Sequence, residues 1–271
     1  MSGASVELIA DHGVIAPRLD PKSPFAVNGL TVAYHRKPVL WNVSFSAPAG
    51  KLVAIVGPNG AGKSTFLKAS LGLIPRISGD VSVFGSAFDQ ARRQIGYVPQ
   101  RSSVDWDFPS TALDVVLMGL YGEIGWFRWV GRSHRRKAMD YLKLVEMEEF
   151  ADRQIGQLSG GQQQRIFLAR ALAQNADVYF MDEPFAGVDA ATERAIITVL
   201  RKLVDDGKTV ICVHHDLETV PDYFDHVLLL SGQTIADGSV RDVFTPDNLQ
   251  KAYGGRLAET QLNALRHSAE L

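Results

Sequence analysis

Short apolar runs and amphipathic runs alternate along this chain. The runs "FAVNGLTVAY" (25–34), "LWNVSFSAPAG" (40–50) and "KLVAIVG" (51–57) are rich in β-branched and aromatic residues and are broken by Pro and Gly, which predicts hairpins followed by a buried strand at Leu52–Val56. Over 64–74 the apolar residues recur at helical spacing, until Pro75 stops them. Further on come an apolar strand over 178–181, an amphipathic helix over about 190–204 and a second apolar strand, Thr209–Val213. Alternation of this kind predicts an α/β fold, with a mostly parallel core sheet covered by helices and an antiparallel β subdomain before it. The stretch of about 101–157 breaks the alternation. It reads as helices joined by aromatic-rich loops, and so as a helical lobe inserted into the sheet domain. Residues 1–24 mix Gly, Pro, Asp and Lys without a period and read as a loose extension; 25–255 form the organised domain, and 256–271 a short tail.

Composition changes this picture in three places. A formal charge of -2 gives no large positive field, so a protein built mainly to hold nucleic acid is not expected. Cys212 is the only cysteine, which excludes an intrachain disulfide and fits a reducing compartment. Without an apolar run of about 18 residues or a basic-then-apolar leader, the chain is expected in the cytosol, and any membrane role is borrowed from a partner.

The first chemistry lies in "VGPNGAGKSTFL" (56–67). Gly57, Gly62, Lys63 and Ser64 match G-x-x-x-x-G-K-[ST], with a strand before and a helix after. Glycines let the backbone of Gly57, Pro58, Asn59, Gly60, Ala61 and Gly62 curl its N–H groups toward phosphate oxygens, and the helix opening through Lys63, Ser64 and Thr65 adds partial positive charge. Lys63 supplies a full charge to the β- and γ-phosphates, and Ser64 a hydroxyl ligand for magnesium. The second element is "DVYFMDEP" (177–184), an apolar strand that delivers Asp182 and Glu183 to the sheet's C-terminal edge. Asp182 is placed to hold magnesium, leaving Glu183 to polarise a water for attack on the γ-phosphate. The third is "LSGGQQQR" (158–165). Ser159 and Gln162 form a capping box, yet Gly160 and Gly161 weaken the first turn by about 1 kcal/mol each, so something must approach that backbone closely.

Phosphate loop, "LSGGQ" and "MDEP" in this order resemble the ATP-binding cassette of ABC transporters, over about 25–255. The resemblance implies an ATPase using ATP and Mg2+, with Ser64, Gln100 and Asp182 around the magnesium. It implies that Tyr34 stacks on adenine, that Gln100, closing "QIGYVPQ", senses magnesium, and that Asp189 in "AGVDA" belongs to the loop crossing a dimer interface. The family more often has Ser-Ala-Leu before that aspartate, so the departure at Ala186, Gly187 and Val188 touches only its neighbours' contacts. In "VHHD" the family pattern makes His215 the residue reaching the γ-phosphate, and His214 stands in the place of a Thr or Ser. Neighbouring strand residues point to opposite faces, which argues against a two-histidine metal site. The resemblance also implies that the signature of one copy and the phosphate loop of another enclose each ATP, hence a homodimer.

The run "RSHRRK" (132–137) reads as a solvated helix start. The segment "QRSSVDWDFPSTALDVVLMGLYG" (100–122) resembles the corresponding part of ATPases serving manganese and zinc importers more closely than iron–chelate ones. Its helix is entered through Pro109 and capped by Ser110 or Thr111. Trp106 and Phe108 are expected at the contact with an integral-membrane permease, while Asp105 and Asp107 are not cargo ligands. The resemblance implies the ATP-hydrolysing subunit of a metal-ion importer, peripheral on the cytoplasmic face of the cell membrane. Its partners are the permease, indirectly an extracytoplasmic metal-binding protein, and no nucleic acid. The competing class is a soluble cassette protein that uses ATP to remodel a macromolecular assembly; the long coiled-coil insertion or second cassette usual in that class is not seen in this sequence.

Overall fold

A computed structural model describes residues 23–35, 37–106, 108–125 and 129–255. All but the last two residues of the expected extension, the whole expected tail and Asp107 lie outside them. In chain order the strands are β1 Phe25–Tyr34, β2 Lys37–Ala47, β3 Leu52–Val56, β4 Ser78–Val83, β5 Ser86–Ala87, β6 Ile95–Val98, β7 Val178–Asp182, β8 Thr209–Val213, β9 His226–Leu230 and β10 Thr234–Ser239. The helices of eight residues or more are α1 Lys63–Ser70, α2 Ala112–Gly119, α3 Arg132–Leu144, α4 Gly160–Ala173, α5 Ala190–Asp205 and α6 Pro246–Tyr253.

The core is a six-stranded sheet in the order β10-β9-β3-β8-β7-β6, parallel from β9 to β6, with β10 antiparallel at one edge. Its central strands are apolar on both faces, as a sheet covered on both sides requires. Along β3, Leu52, Ala54 and Val56 face the helical side, while Val53 and Ile55 face the side of α1 and the smaller sheet. β7 alternates likewise, with Tyr179 and Met181 opposite Val178 and Phe180. The smaller sheet, order β2-β1-β4-β5, is antiparallel throughout. It closes over α1 through Phe25, Phe45 and Phe66, whose rings meet edge-on or tilted at 6.3 to 6.5 Å.

α1 ends four residues earlier than the apolar spacing predicts. The Leu73 N–H bonds the Lys68 carbonyl, and that of Gly72 bonds Ala69, with Gly72 at φ +65°. A glycine in the left-handed region thus closes the helix before Pro75 is reached.

Between β6 and α4 the chain builds the helical lobe, with α2 and α3 packed on α4. Thr111, not Ser110, opens α2: its hydroxyl accepts from Asp114 N–H, and Asp114 returns the bond to Thr111 N–H. The basic run opens α3, with Arg132, Arg135 and Arg136 exposed and Lys137 paired to Glu123. Among the described residues no helix is long and apolar enough to cross a membrane.

Candidate nucleotide-binding site

Parallel register brings the motifs to one edge. Val56 pairs with Leu229, Ile55 and Asp182 each pair with Val213, and Val98 pairs with Met181. The residues that follow these strand ends, 57–65, 183, 214–215 and 99–100, therefore leave the sheet side by side, at the edge where open α/β sheets bind ligands.

Two glycines of the phosphate loop are required by contact. A Cβ on Gly57 would overlap the carbonyl oxygen of Leu230, and one on Gly62 would meet Leu40 Cδ2 at 2.6 Å on a backbone at φ +91°. Gly62 caps α1 without a side chain, and the first turn carries no acid, so its N–H groups are left as donors for an anion. Lys63 is 7% exposed, and its ammonium donates to the carbonyls of Gly57 at 2.8 Å and Pro58 at 3.1 Å. Burial pulls its pKa down, opposed by the charges of Glu183 and Asp182.

Asp182 is 0% exposed; its Oδ1 accepts from the Ser64 hydroxyl at 2.9 Å, and its buried Oδ2 has no hydrogen-bond partner. Burial raises its pKa, with Ser64, Lys68 and Lys63 pulling it back and Glu183 adding to the rise. Tyr97 is pushed up to about 12 by burial and then by Asp182. A lone buried carboxylate oxygen is costly unless a cation answers it. Asp182 with the Ser64 hydroxyl is an all-oxygen donor set suited to Mg2+, which usually binds through one or two carboxylates together with substrate phosphates. Lys63 and the open N–H groups fit those phosphates. The residues present fit Mg-ATP.

Glu183 follows in the left-handed region, φ +54°, which turns its side chain away from that of Asp182. Its Oε2 accepts from Gln100 Nε2 at 2.9 Å. The next residue, Arg101, was not singled out from the sequence. Its Nε donates to Gln163 Oε1 at 2.9 Å, and its guanidinium lies 3.2 Å from where a Gly160 Cβ would stand. Gln100 and Arg101 thus link the end of β7 to the signature helix.

Within α4, Ser159 and Gln162 form the expected capping box. Ser159 is exposed, and Gly160 to Gln162 are half-buried. A Cβ on Gly161 would make only ordinary contact, 3.4 Å to Thr192 Cγ2. Within one chain, Arg101 is therefore the close neighbour of this turn. Asp189 caps α5 by accepting from Thr192 N–H at 2.8 Å, and its bonds to Thr192 hold its carboxyl below the usual range. Thr192 touches both features, so Asp189 and the signature lie together.

Of the two histidines, His214 is buried and His215 exposed, with ring centroids 6.0 Å apart. Among the described residues no cluster of three or more metal-ligating side chains occurs. Cys212 is buried, which pushes its thiol up and keeps it unreactive. Tyr34 ends β1 and is 47% exposed, on the hairpin whose Val39 and Leu40 pack over Gly62. Trp106 and Phe108 differ in exposure. Phe108 is 58% exposed, while Trp106 meets Phe167 edge-on at 5.0 Å and donates from Nε1 to the Arg101 carbonyl at 2.9 Å. Trp106 is half-buried and takes part in the lobe's own packing, a role the sequence reading did not give it.

A phosphate loop, paired carboxylates and a glycine-opened capped helix on one parallel sheet define a nucleotide-binding cassette. The family model described as ABC transporter matches residues 40–186, and the chain belongs to that family. The manganese transport system ATP-binding protein MntB of Bacillus subtilis is 61% identical over 234 residues, covering 86% of this chain and 94% of that protein. The zinc transport system ATP-binding protein TroB of Treponema pallidum is 58% identical over 234 residues, covering 86% and 88%. Among solved structures, a dimeric bacterial ABC transporter cassette is similar at a TM-score of 0.72 and 31% identity, over 80% of this chain and 98% of that one. A dimeric post-hydrolysis cassette bound to ADP and Pi is similar at 0.71 and 31%, over the same shares.

Proposed function

We propose that this chain is the ATP-hydrolysing subunit of a membrane importer of divalent metal ions, manganese or zinc, acting as a homodimer on the cytoplasmic face of the membrane. The observation that carries the enzymatic part is the Lys63–Ser64–Asp182 cluster, with its unanswered buried carboxylate oxygen, beside the Gln100–Glu183 pair. The cargo reading rests on the relatives named for manganese and zinc transport.

In this reading Lys63 and the backbone of 57–65 hold the β- and γ-phosphates, Tyr34 stacks on adenine, and Ser64, Asp182 and Gln100 surround magnesium. Bound magnesium supplies charge neutralisation for the phosphates. Glu183 accepts the proton of the attacking water, and His215 reaches the γ-phosphate. Ser159, Gly160, Gly161 and Gln162 of a second copy close the same nucleotide, with Asp189 at the crossing. A similar cassette solved as a dimer supports that arrangement. Permease subunits convert closure into transport, and an extracytoplasmic binding protein delivers the ion; the metal does not touch this chain.

The test is uptake of radioactive manganese and zinc by cells lacking the gene and then regaining it. Uptake restored by the wild type but not by Glu183→Gln is expected. Uptake of both metals unchanged by the deletion would reject the cargo reading.

A further inference from the structure

His214 stands at the end of β8 and is 2% exposed. Its ring is held from several sides. The Phe185 ring meets it edge-on at 5.4 Å and 88°, Phe224 lies 5.1 Å away, and Nε2 is 2.8 Å from Thr219 Oγ1. Nε2 and the Thr219 hydroxyl thus form a hydrogen bond, and the same hydroxyl lies 3.3 Å from the Asp216 carbonyl, so the ring is tied to the 216–219 turn. Burial, and then the neighbouring His215, lower the ring's pKa to about 4, which keeps it neutral with one proton to give.

The groups it touches belong to two functional turns. Phe185 lies in the turn that starts at Glu183, closed by Ala186 N–H on the Glu183 carbonyl at 3.1 Å. Asp216 and Thr219 form the turn that directly follows His215. These turns leave adjacent parallel strands, since Asp182 pairs with Val213.

We infer that His214 is a positioning residue for ATP hydrolysis: its buried ring clamps the turn after Glu183 to the turn that directly follows His215. This deepens the reading above and rests on its assignment of Glu183 and His215. The clamp has an apolar part, the ring against Phe185 and Phe224, and a polar part, the bond to Thr219. The polar part sets where His215 points.

The two parts separate by mutation of the full-length chain. His214→Phe keeps a ring between the two phenylalanines and removes the hydrogen-bonding nitrogen; Thr219→Val removes the hydroxyl partner and keeps the shape. Each is expected to lower kcat for Mg-ATP hydrolysis about tenfold, as a misaligned catalytic group would. KM for ATP should stay within about twofold, and the double variant should be no worse than either single one. An unchanged kcat in His214→Phe, a rise in KM alone, or fully additive losses would overturn the proposal. His215→Ala, measured beside them, separates the two readings. Wild-type hydrolysis by that variant removes His215 from the chemistry, whereas a loss there with normal His214→Phe kinetics sinks the clamp alone.

Discussion

Around Lys63 the chain answers its own polar groups, whereas around Ser159 it turns them outward. Lys63 bonds two carbonyls, Ser64 bonds Asp182, and Gln100 bonds Glu183; one buried oxygen, Asp182 Oδ2, is left over. At the signature, Ser159 is exposed and its hydroxyl serves its own helix cap. The first region is a buried cradle whose carboxylate, hydroxyl and ammonium groups fit a cation and phosphates. The second is a well-formed helix end in which Gly160 lies under Arg101, while nothing within the chain crowds Gly161. On the proposed reading, the difference is that one chain builds the chemistry and displays the signature as a surface for another chain's nucleotide.

Lys63→Ala is the harshest test of the cradle. It strips two carbonyls of their donor and removes a cation near Asp182 and Glu183. Phosphate release should fall by at least about a hundredfold, in line with the loss of one preorganised charge stabiliser. Hydrolysis at the normal rate would remove the central assignment.

Glu183→Gln acts on chemistry and spares the cradle. Its side-chain oxygen still accepts from Gln100 while its ability to take a proton is gone. ATP should bind but not turn over, so that the closed pair of chains accumulates. Light scattering with Mg-ATP should then report a dimer. A monomer that binds ATP would break the comparison, since the signature surface would have no second chain to serve.

The cradle was legible in the sequence because its parts are short-range patterns at fixed strand and helix boundaries. Gly57 to Ser64 and Asp182 with Glu183 were readable before their registers were known. The contacts that join them were not. Arg101 to Gln163 spans 62 positions, and nothing in "PQRSS" marks it. Trp106 reads the same from sequence whether it faces a partner or Phe167, since an aromatic in a loop satisfies both. The early end of α1 turned on Gly72 adopting a left-handed backbone, which apolar periodicity does not encode.

Tyr34 sharpens the comparison on the cradle side. It is 47% exposed at the hairpin end. Tyr34→Ala should weaken ATP by about 1 to 3 kcal/mol, as loss of base stacking does elsewhere. Tyr34→Phe should bind nearly as the wild type, because stacking uses the ring and not the hydroxyl. Equal affinities of the two variants in calorimetry would exclude the role.

The smallest expected change in the chain itself comes from Gly161→Ala. The added methyl would sit 3.4 Å from Thr192 Cγ2 and 3.6 Å from Val188 Cγ1, ordinary packing distances, on a backbone that alanine adopts without strain. Helix propensity favours alanine by up to about 1 kcal/mol, so the melting temperature should hold or rise slightly. ATP binding to a single chain should be unaffected, since Gly161 lies away from the cradle. Hydrolysis should nonetheless fall, because the methyl occupies the surface that a second copy's phosphates approach. A variant that is stable, binds ATP and hydrolyses it normally would show that these glycines serve no partner. One that melts early would mean that Thr192 and Val188 fix them within the chain. Only stability with lost turnover places their purpose in the second chain's nucleotide.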